Sequence, residues 1–276
     1  MIQKQFKKIL NDLKLDILNF IGYDIIKRNP IMYLKPYVGI SKYKDLSFHT
    51  TPIGNYYLPI KSDQDWIAQC MRRGLLFDEV IIEVAKKYIK PNTVVLDIGA
   101  NYGQMSIEFA KYVGEKGIVY SFDAQKKVYD ILVKNVDVNC PSLVKTFYNA
   151  VYDVENKLFR FPTPTFDIVQ TLGCFGLNPT IDEGEEVYSI TIDSLKIDKP
   201  ISFMKIDIQG SDIFALRGAK ETIFKHRMPI IFEFEQHLQA QFQTSFQDYV
   251  DFVASINYHF VECINSTNFL ILPNDF

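Results

Sequence analysis

Asp97, Gly99, Asn101 and Gly103 occupy every second position of the stretch VLDIGANYG, where an apolar run ends and an amphipathic one begins. A carboxylate at a strand end, followed by two glycines ahead of a helix, predicts a sharp turn whose backbone a ligand can approach. Spacing decides between ligands. A dinucleotide fingerprint would have its second glycine where Asn101 stands, and a phosphate-cradling loop would end in Gly-Lys-Ser/Thr, which is absent. The remaining solution is a cofactor without phosphate that offers an amino-acid end and a ribose. The expectation is a void lined by amides and one acid.

This pattern, D-x-G-x-N-x-G, resembles the first motif of class I S-adenosylmethionine-dependent methyltransferases. The resemblance implies S-adenosylmethionine as cofactor, held by Asp97, Gly99, Ala100, Asn101 and Gly103. A second, independent feature agrees. Asp123 in VYSFDAQ lies at the end of the next predicted strand, where a ribose-binding fold places an acid that accepts from two hydroxyls. The third strand ends in YNAVYD, so Asn149 and Ala150 are candidate edge contacts to the base.

Further on, FMKIDIQGSDIFALRGAKETI followed by RMPIIFEFE narrows the resemblance to the FkbM family of methyltransferases. Lys205, Ile206, Asp207, Gly210, Leu216, Gly218, Ala219, Pro229 and Glu233 match the family pattern, and ITIDSL resembles its T-L-D-S-L. The match covers roughly Phe77 to Glu235. Two positions depart from the pattern. Gln209 stands where the family usually has Glu, and Asp123–Ala124 where Glu-Pro is common.

Methyl transfer from a sulfonium is an in-line displacement, so alignment dominates, with help from a general base if the acceptor is an alcohol. Asp207 is the first candidate for that base, Glu233 the second and His237 the third. Alternation puts Glu233 and Glu235 on one strand face. No metal is expected, because Gln209 would be a poor ligand beside Asp207 and His49, His226 and His259 have no ligand-like spacing. Phe166 and Phe175, in the aromatic, Pro- and Gly-containing segment after the third strand, are candidates to line an acceptor pocket.

These residues need a scaffold, and the alternation of strand and helix supplies one. Strands are predicted at Thr93 to Ile98, Gly117 to Phe122, Val144 to Asn149, Ser202 to Ile208, Pro229 to Glu235, His259 to Cys263 and Asn268 to Leu272. Helices are predicted at Gln104 to Val113, Lys126 to Asn135 and Asp212 to Phe224. The predicted fold is α/β: a Rossmann-like, doubly wound, mostly parallel sheet of about seven strands with helices on both faces and an antiparallel C-terminal pair. The methyltransferase domain is expected over 76–276, with a helical and irregular N-terminal extension over 1–75. Phe6, Ile9, Leu10, Leu13, Ile17 and Ile21 predict an amphipathic helix, which packs on its own domain or forms a homodimer or membrane-surface contact. Residues 28–63, rich in proline and aromatic residues, predict short extended pieces and turns without long regular elements, a lid or accessory segment, and a helical pattern follows from Asp63 to Tyr88.

The balance of 30 basic against 33 acidic side chains leaves no positive field for nucleic acid. Cys70, Cys140, Cys174 and Cys263 form no C-x-x-C pair, which fits a reducing cytoplasmic location. LDILNFIGYDII is interrupted by polar residues and glycine, which argues against a transmembrane segment and a signal peptide. The leading expectation is an O-methyltransferase acting on a hydroxyl of a sugar or glycan intermediate, the substrate class the family resemblance implies. Methylation of a polyketide-like or other secondary metabolite is the second, and an inactive scaffold with a methyltransferase fold the third. An oxidoreductase is disfavoured by the glycine spacing.

Overall fold

The computed structural model describes residues 37–39, 43–62, 64–161, 172, 176–177, 181 and 183–276. The chain opens with strands β1 (Tyr37–Gly39), β2 (Leu46–Thr51) and β3 (Gly54–Pro59), then helices α1 (Trp66–Arg72) and α2 (Glu79–Lys86). The alternating part follows: β4 (Val94–Ile98), α3 (Gln104–Val113), β5 (Ile118–Asp123), α4 (Lys126–Asn139) and β6 (Val144–Tyr148). Three short strands, β7 (Ala150–Val151), β8 (Leu158–Phe161) and β9 (Glu185–Ile190), precede β10 (Ile201–Ile206). The chain closes with α5 (Asp212–Arg217), α6 (Lys220–His226), β11 (Ile230–Glu233), α7 (Phe246–Ser255), β12 (Tyr258–Ile264) and β13 (Asn268–Pro273).

The seven-stranded sheet has the order β12-β13-β11-β10-β4-β5-β6. Its strands from β11 to β6 are parallel, while β13 and β12 run antiparallel. This is the expected doubly wound architecture. The parallel strands β4, β5 and β10 are each followed directly by an α-helix, and the order reverses between β4 and β10, where such folds open a crevice at the carboxyl ends.

Alternation along these strands sorts side chains to two cores. Val94, Leu96 and Ile98, with Met204 and Ile206, pack on the face covered by α5, α6 and α7. Val95 and Phe203 face α2, α3 and α4 on the other side. Each such side chain contributes about 1.5–3 kcal/mol of burial. Asp97 and Lys205 share the phase of Val95 and Phe203, so one face carries a charged pair inside an apolar layer.

One local expectation is corrected and another is refined. Residues 28–63 were expected to hold short extended pieces and turns, and in the described part β2 and β3 are six-residue strands that pair as a hairpin, a pairing not foreseen. The prolines fall where a hairpin tolerates them: Pro52 in the turn and Pro59 closing β3. The hairpin is tied to α4 by Asn135 and Asn139, whose side-chain amides hydrogen-bond the backbones of Tyr57 and Asn55 in both directions. The helix expected over Asp212 to Phe224 is two helices. They part at Gly218, where a Cβ would lie 2.0 Å from the Tyr152 carbonyl oxygen. The small sheet β7-β9-β8 was not foreseen. The amphipathic helix expected over residues 3–21, with its homodimer contact, lies outside the described residues. Among the described residues no helix is long and apolar enough to cross a membrane.

Candidate active site

The turn after β4 is built from inside outward. Asp97 is fully buried and sits beside Lys205 by strand register, since the two are Cα partners on adjacent parallel strands. The Lys205 Nζ lies 3.7 Å from Asp97 Oδ1 and 3.3 Å from Asp207 Oδ2, and donates to the Gly99 carbonyl at 2.9 Å. Ser106 from α3 donates to Asp97 Oδ2 and itself accepts from Ser121 on β5. Asp97 Oδ1 has no hydrogen-bond partner although it is buried. Burial pushes the Asp97 carboxyl up, against the pull of Lys205. Burial also works against the Lys205 charge, but Asp207 and Asp97 outweigh it and hold the ammonium above its usual value.

The glycines do something different from what their spacing suggested. Gly99 and Gly103 both have positive φ, +80° and +87°. A Cβ at Gly99 would lie 1.8 Å from the Asp207 carbonyl oxygen, and one at Gly103 would lie 2.7 Å from Leu132 Cδ1. The space they free is filled by the protein, and the amides of Gly99 and Ala100 are bonded to the Phe122 carbonyl. The expected void lined by amides and Asp97 is therefore corrected: Asp97 lies fully buried beneath the turn. Asn101, at φ +50°, donates its amide to Asp123 Oδ2 at 3.0 Å.

Asp123 ends β5 half-exposed, with its other oxygen accepting from the Gln125 amide at 2.9 Å. Burial pushes its carboxyl up to about 7 in spite of those two amides. Asn149 donates to the Tyr188 carbonyl on β9, and Ala150 is buried in β7. Both therefore stand at the junction of the two sheets.

On the other side of the switch point, Gln209 donates from Nε2 to Asp207 Oδ1 at 3.3 Å and to Glu233 Oε2 at 3.0 Å. Burial, then the charges of Asp207 and Asp212, push Glu233 well above the usual carboxylate range. Burial acts on Asp207 too, but Lys205 and hydrogen bonds from Glu233 and Gln209 outweigh it and hold this carboxyl below its usual value. Glu233 is buried and the Asp207 side chain is 29% exposed. His237 is exposed and faces Glu235 at 3.2 Å, in the 3-10 helix Gln236–Phe242 beyond β11. Phe166 and Phe175 lie outside the described residues. Gly176, which is described, packs on the site: a Cβ there would come 2.6 Å from the Gln209 carbonyl oxygen.

Three participants had no role assigned from sequence. Lys205 was noted as a family match without a role. Asp212, buried beneath Glu233, accepts from the amides of Gly210 and Glu233, and burial pushes it up to about 7. Asp78, between α1 and α2, is half-buried, and burial pushes its carboxyl up to about 6, with Asp207 adding to this and Lys205 opposing it. Among the described residues no group of His, Cys, Asp and Glu side chains is arranged to hold a metal ion.

The chemistry of this donor set suits S-adenosylmethionine, a ligand with cationic groups and a ribose diol. Carboxylates outnumber the single buried ammonium, an unpartnered acceptor sits on Asp97, and an acid stands half-open at the second strand tip. A family model, the methyltransferase FkbM domain, matches residues 97–260. The fold is similar to that of an FkbM methyltransferase from Methylobacillus flagellatus KT, with 17% identity over 69% of this chain and 49% of that one, at a TM-score of 0.44. It is also similar to a Streptococcus mutans methyltransferase solved in complex with SAH (9% identity, 70% and 94% covered, TM-score 0.43). A third similar structure is a SAM-dependent methyltransferase from Aquifex aeolicus (14% identity, 71% and 88% covered, TM-score 0.40).

Proposed function

The chain belongs to the FkbM methyltransferase family and uses S-adenosylmethionine, and from that premise we propose that it methylates a hydroxyl of a sugar or glycan intermediate, with Asp207 as general base. We assign residues 76–276 to the catalytic domain and 1–75 to an accessory segment. The observation that carries the oxygen-acceptor reading is the Asp207–Gln209–Glu233 arrangement at the tips of β10 and β11.

The bound cofactor supplies the activated methyl group. The chain's own residues do the rest. Asp123 offers a half-open carboxylate to a diol while Asn101 and Gln125 hold it in place. Asp207, ionised and partly exposed, accepts the hydroxyl proton as the oxygen's bond to carbon forms. Glu233 shares the Gln209 amide with Asp207, so the two acids titrate as a unit beside Lys205. Gln209 fixes both carboxyls from one amide, which fixes the direction of attack.

The test is turnover with labelled cofactor against nucleotide sugars, oligosaccharides and phenolic metabolites, with product mass as readout. Asp207→Asn should bind cofactor as the parent does and lose roughly 10²–10⁴ in turnover. Normal turnover by that variant overturns the base assignment. Methylation of phenolic compounds alone overturns the substrate class.

A further inference from the structure

Tyr102 stands between Asn101 and Gly103 in the turn after β4, and it is fully buried. It belongs to a core shared with Tyr56 and Leu58 of β3, Ala68 and Met71 of α1, and residues of α4. The turn is thus packed against the segment ahead of the sheet. Burial calls for an apolar ring here, and phenylalanine would supply one. The hydroxyl needs its own account, because a buried O–H without a partner is costly. It donates to Asp65 Oδ2 at 2.8 Å, and Asp65 is itself 2% exposed. The other oxygen of that carboxylate caps α1, accepting from the Ala68 amide at 3.0 Å. One buried acid therefore fixes the start of α1 and the turn after β4 together.

The backbone of Tyr102 is held as well. Its carbonyl accepts from Asn135 Nδ2 at 2.8 Å, and the same Asn135 pairs with both backbone groups of Tyr57 on β3. Its amide donates to Asn101 Oδ1 at 2.7 Å. Asn101, at φ +50°, donates its own amide to Asp123 Oδ2 at 3.0 Å. A left-handed residue other than glycine is strained, and it persists where its surroundings hold it. The contacts run without a gap from Asp65 to Tyr102, to Asn101 and to Asp123, joining the segment ahead of the sheet to the tip of β5.

We propose that the Asp65–Tyr102 bond is a clasp by which the segment ahead of the sheet sets the cofactor site, Tyr102 being the positioning residue that holds Asn101 and, through it, the Asp123 carboxylate. Opening the clasp lets the Asn101 amide turn and leaves the Gln125 amide to hold Asp123. A diol then meets a carboxylate that must first be ordered, and affinity falls by the cost of ordering it. The ribose is common to S-adenosylmethionine and S-adenosylhomocysteine, so both weaken alike. This inference rests on the reading of Asp123 as the ribose acid.

Titration calorimetry of the full chain with both ligands, well below its melting midpoint, tests it. Tyr102→Phe keeps the ring and removes the hydroxyl, while Asp65→Ser keeps a capping oxygen for α1 and withdraws the one that Tyr102 uses. Each should weaken both ligands roughly fivefold, the order of one net hydrogen bond. The double variant should weaken them no more than either single one. Ser62→Ala removes a hydroxyl that donates to the Pro59 carbonyl in the same segment, and it should lower the melting midpoint with both affinities unchanged. The clasp is overturned by additive losses in the double variant, by an equal loss of affinity in Ser62→Ala, or by weakening of S-adenosylmethionine alone. Unchanged affinity in Tyr102→Phe beside a loss in Asp123→Ala overturns it too. Unchanged affinity in Asp123→Ala overturns the ribose reading, and the clasp with it.

Discussion

Replacing Lys205 by Met keeps the length of a fully buried side chain and removes its charge, leaving Asp97 without a cation. With an effective dielectric near 20, the contacts at 3.7 and 3.3 Å are each worth about 4–5 kcal/mol before desolvation is counted. The loss is bounded from above, because a stranded carboxyl can take up a proton instead. For an ordinary Asp that alternative costs about 5–6 kcal/mol at pH 8 and about 1–2 kcal/mol at pH 5. Asp207, 29% exposed, can hydrate, so most of the cost falls on Asp97. The expected destabilisation is about 3–5 kcal/mol at pH 8 and about 1–2 kcal/mol at pH 5. The sign follows from linkage. Without Lys205 the folded-state value of Asp97 rises further above its unfolded value, so the native variant gains a proton as pH falls through that raised value and recovers stability. Lys205 in the parent is raised, so its contribution is constant between pH 5 and 8 and lost only at alkaline pH. Urea unfolding of parent and variant, followed by far-ultraviolet circular dichroism at both pH values, measures the difference. An equal loss at pH 5 and pH 8 would refute the reasoning.

Gly99→Ala and Gly103→Ala share a positive φ, yet only the first drives a Cβ into backbone, at 1.8 Å from Asp207 oxygen. The second meets the flexible end of Leu132, so its cost should be about 1–2 kcal/mol, with Gly99→Ala several kcal/mol worse in the same denaturation assay. Gln209→Glu, the residue usual in the family, adds a carboxylate within hydrogen-bond distance of both Asp207 and Glu233. Like charge raises the pair, so the acidic limb of the kcat profile should move up by about one pH unit or more, with little change in KM for the cofactor. An unmoved profile would show that Gln209 is not coupled to the base.

Local rules reach as far as neighbouring residues. The run VVLDI followed by GANYG announces a strand, a tight turn and a helix, because alternation, positive-φ glycines and apolar spacing act over a few residues. The same is true of Asp123 at the tip of β5 and of Asp207 at the tip of β10, and the parallel order follows from strands separated by helices. The hairpin of β2 and β3 escaped notice because its prolines, which usually end strands, sit at its ends. What chain order leaves open is who stands beside whom. Lys205 meets Asp97 by sheet register, and Asp78 meets Asn265 across 187 residues. Those pairings decide which carboxylate is charged, which holds a proton, and that Gly99 makes room for the Asp207 carbonyl where a ligand was expected. Such properties depend on burial and on distances between remote segments, and only the packed sheet sets them.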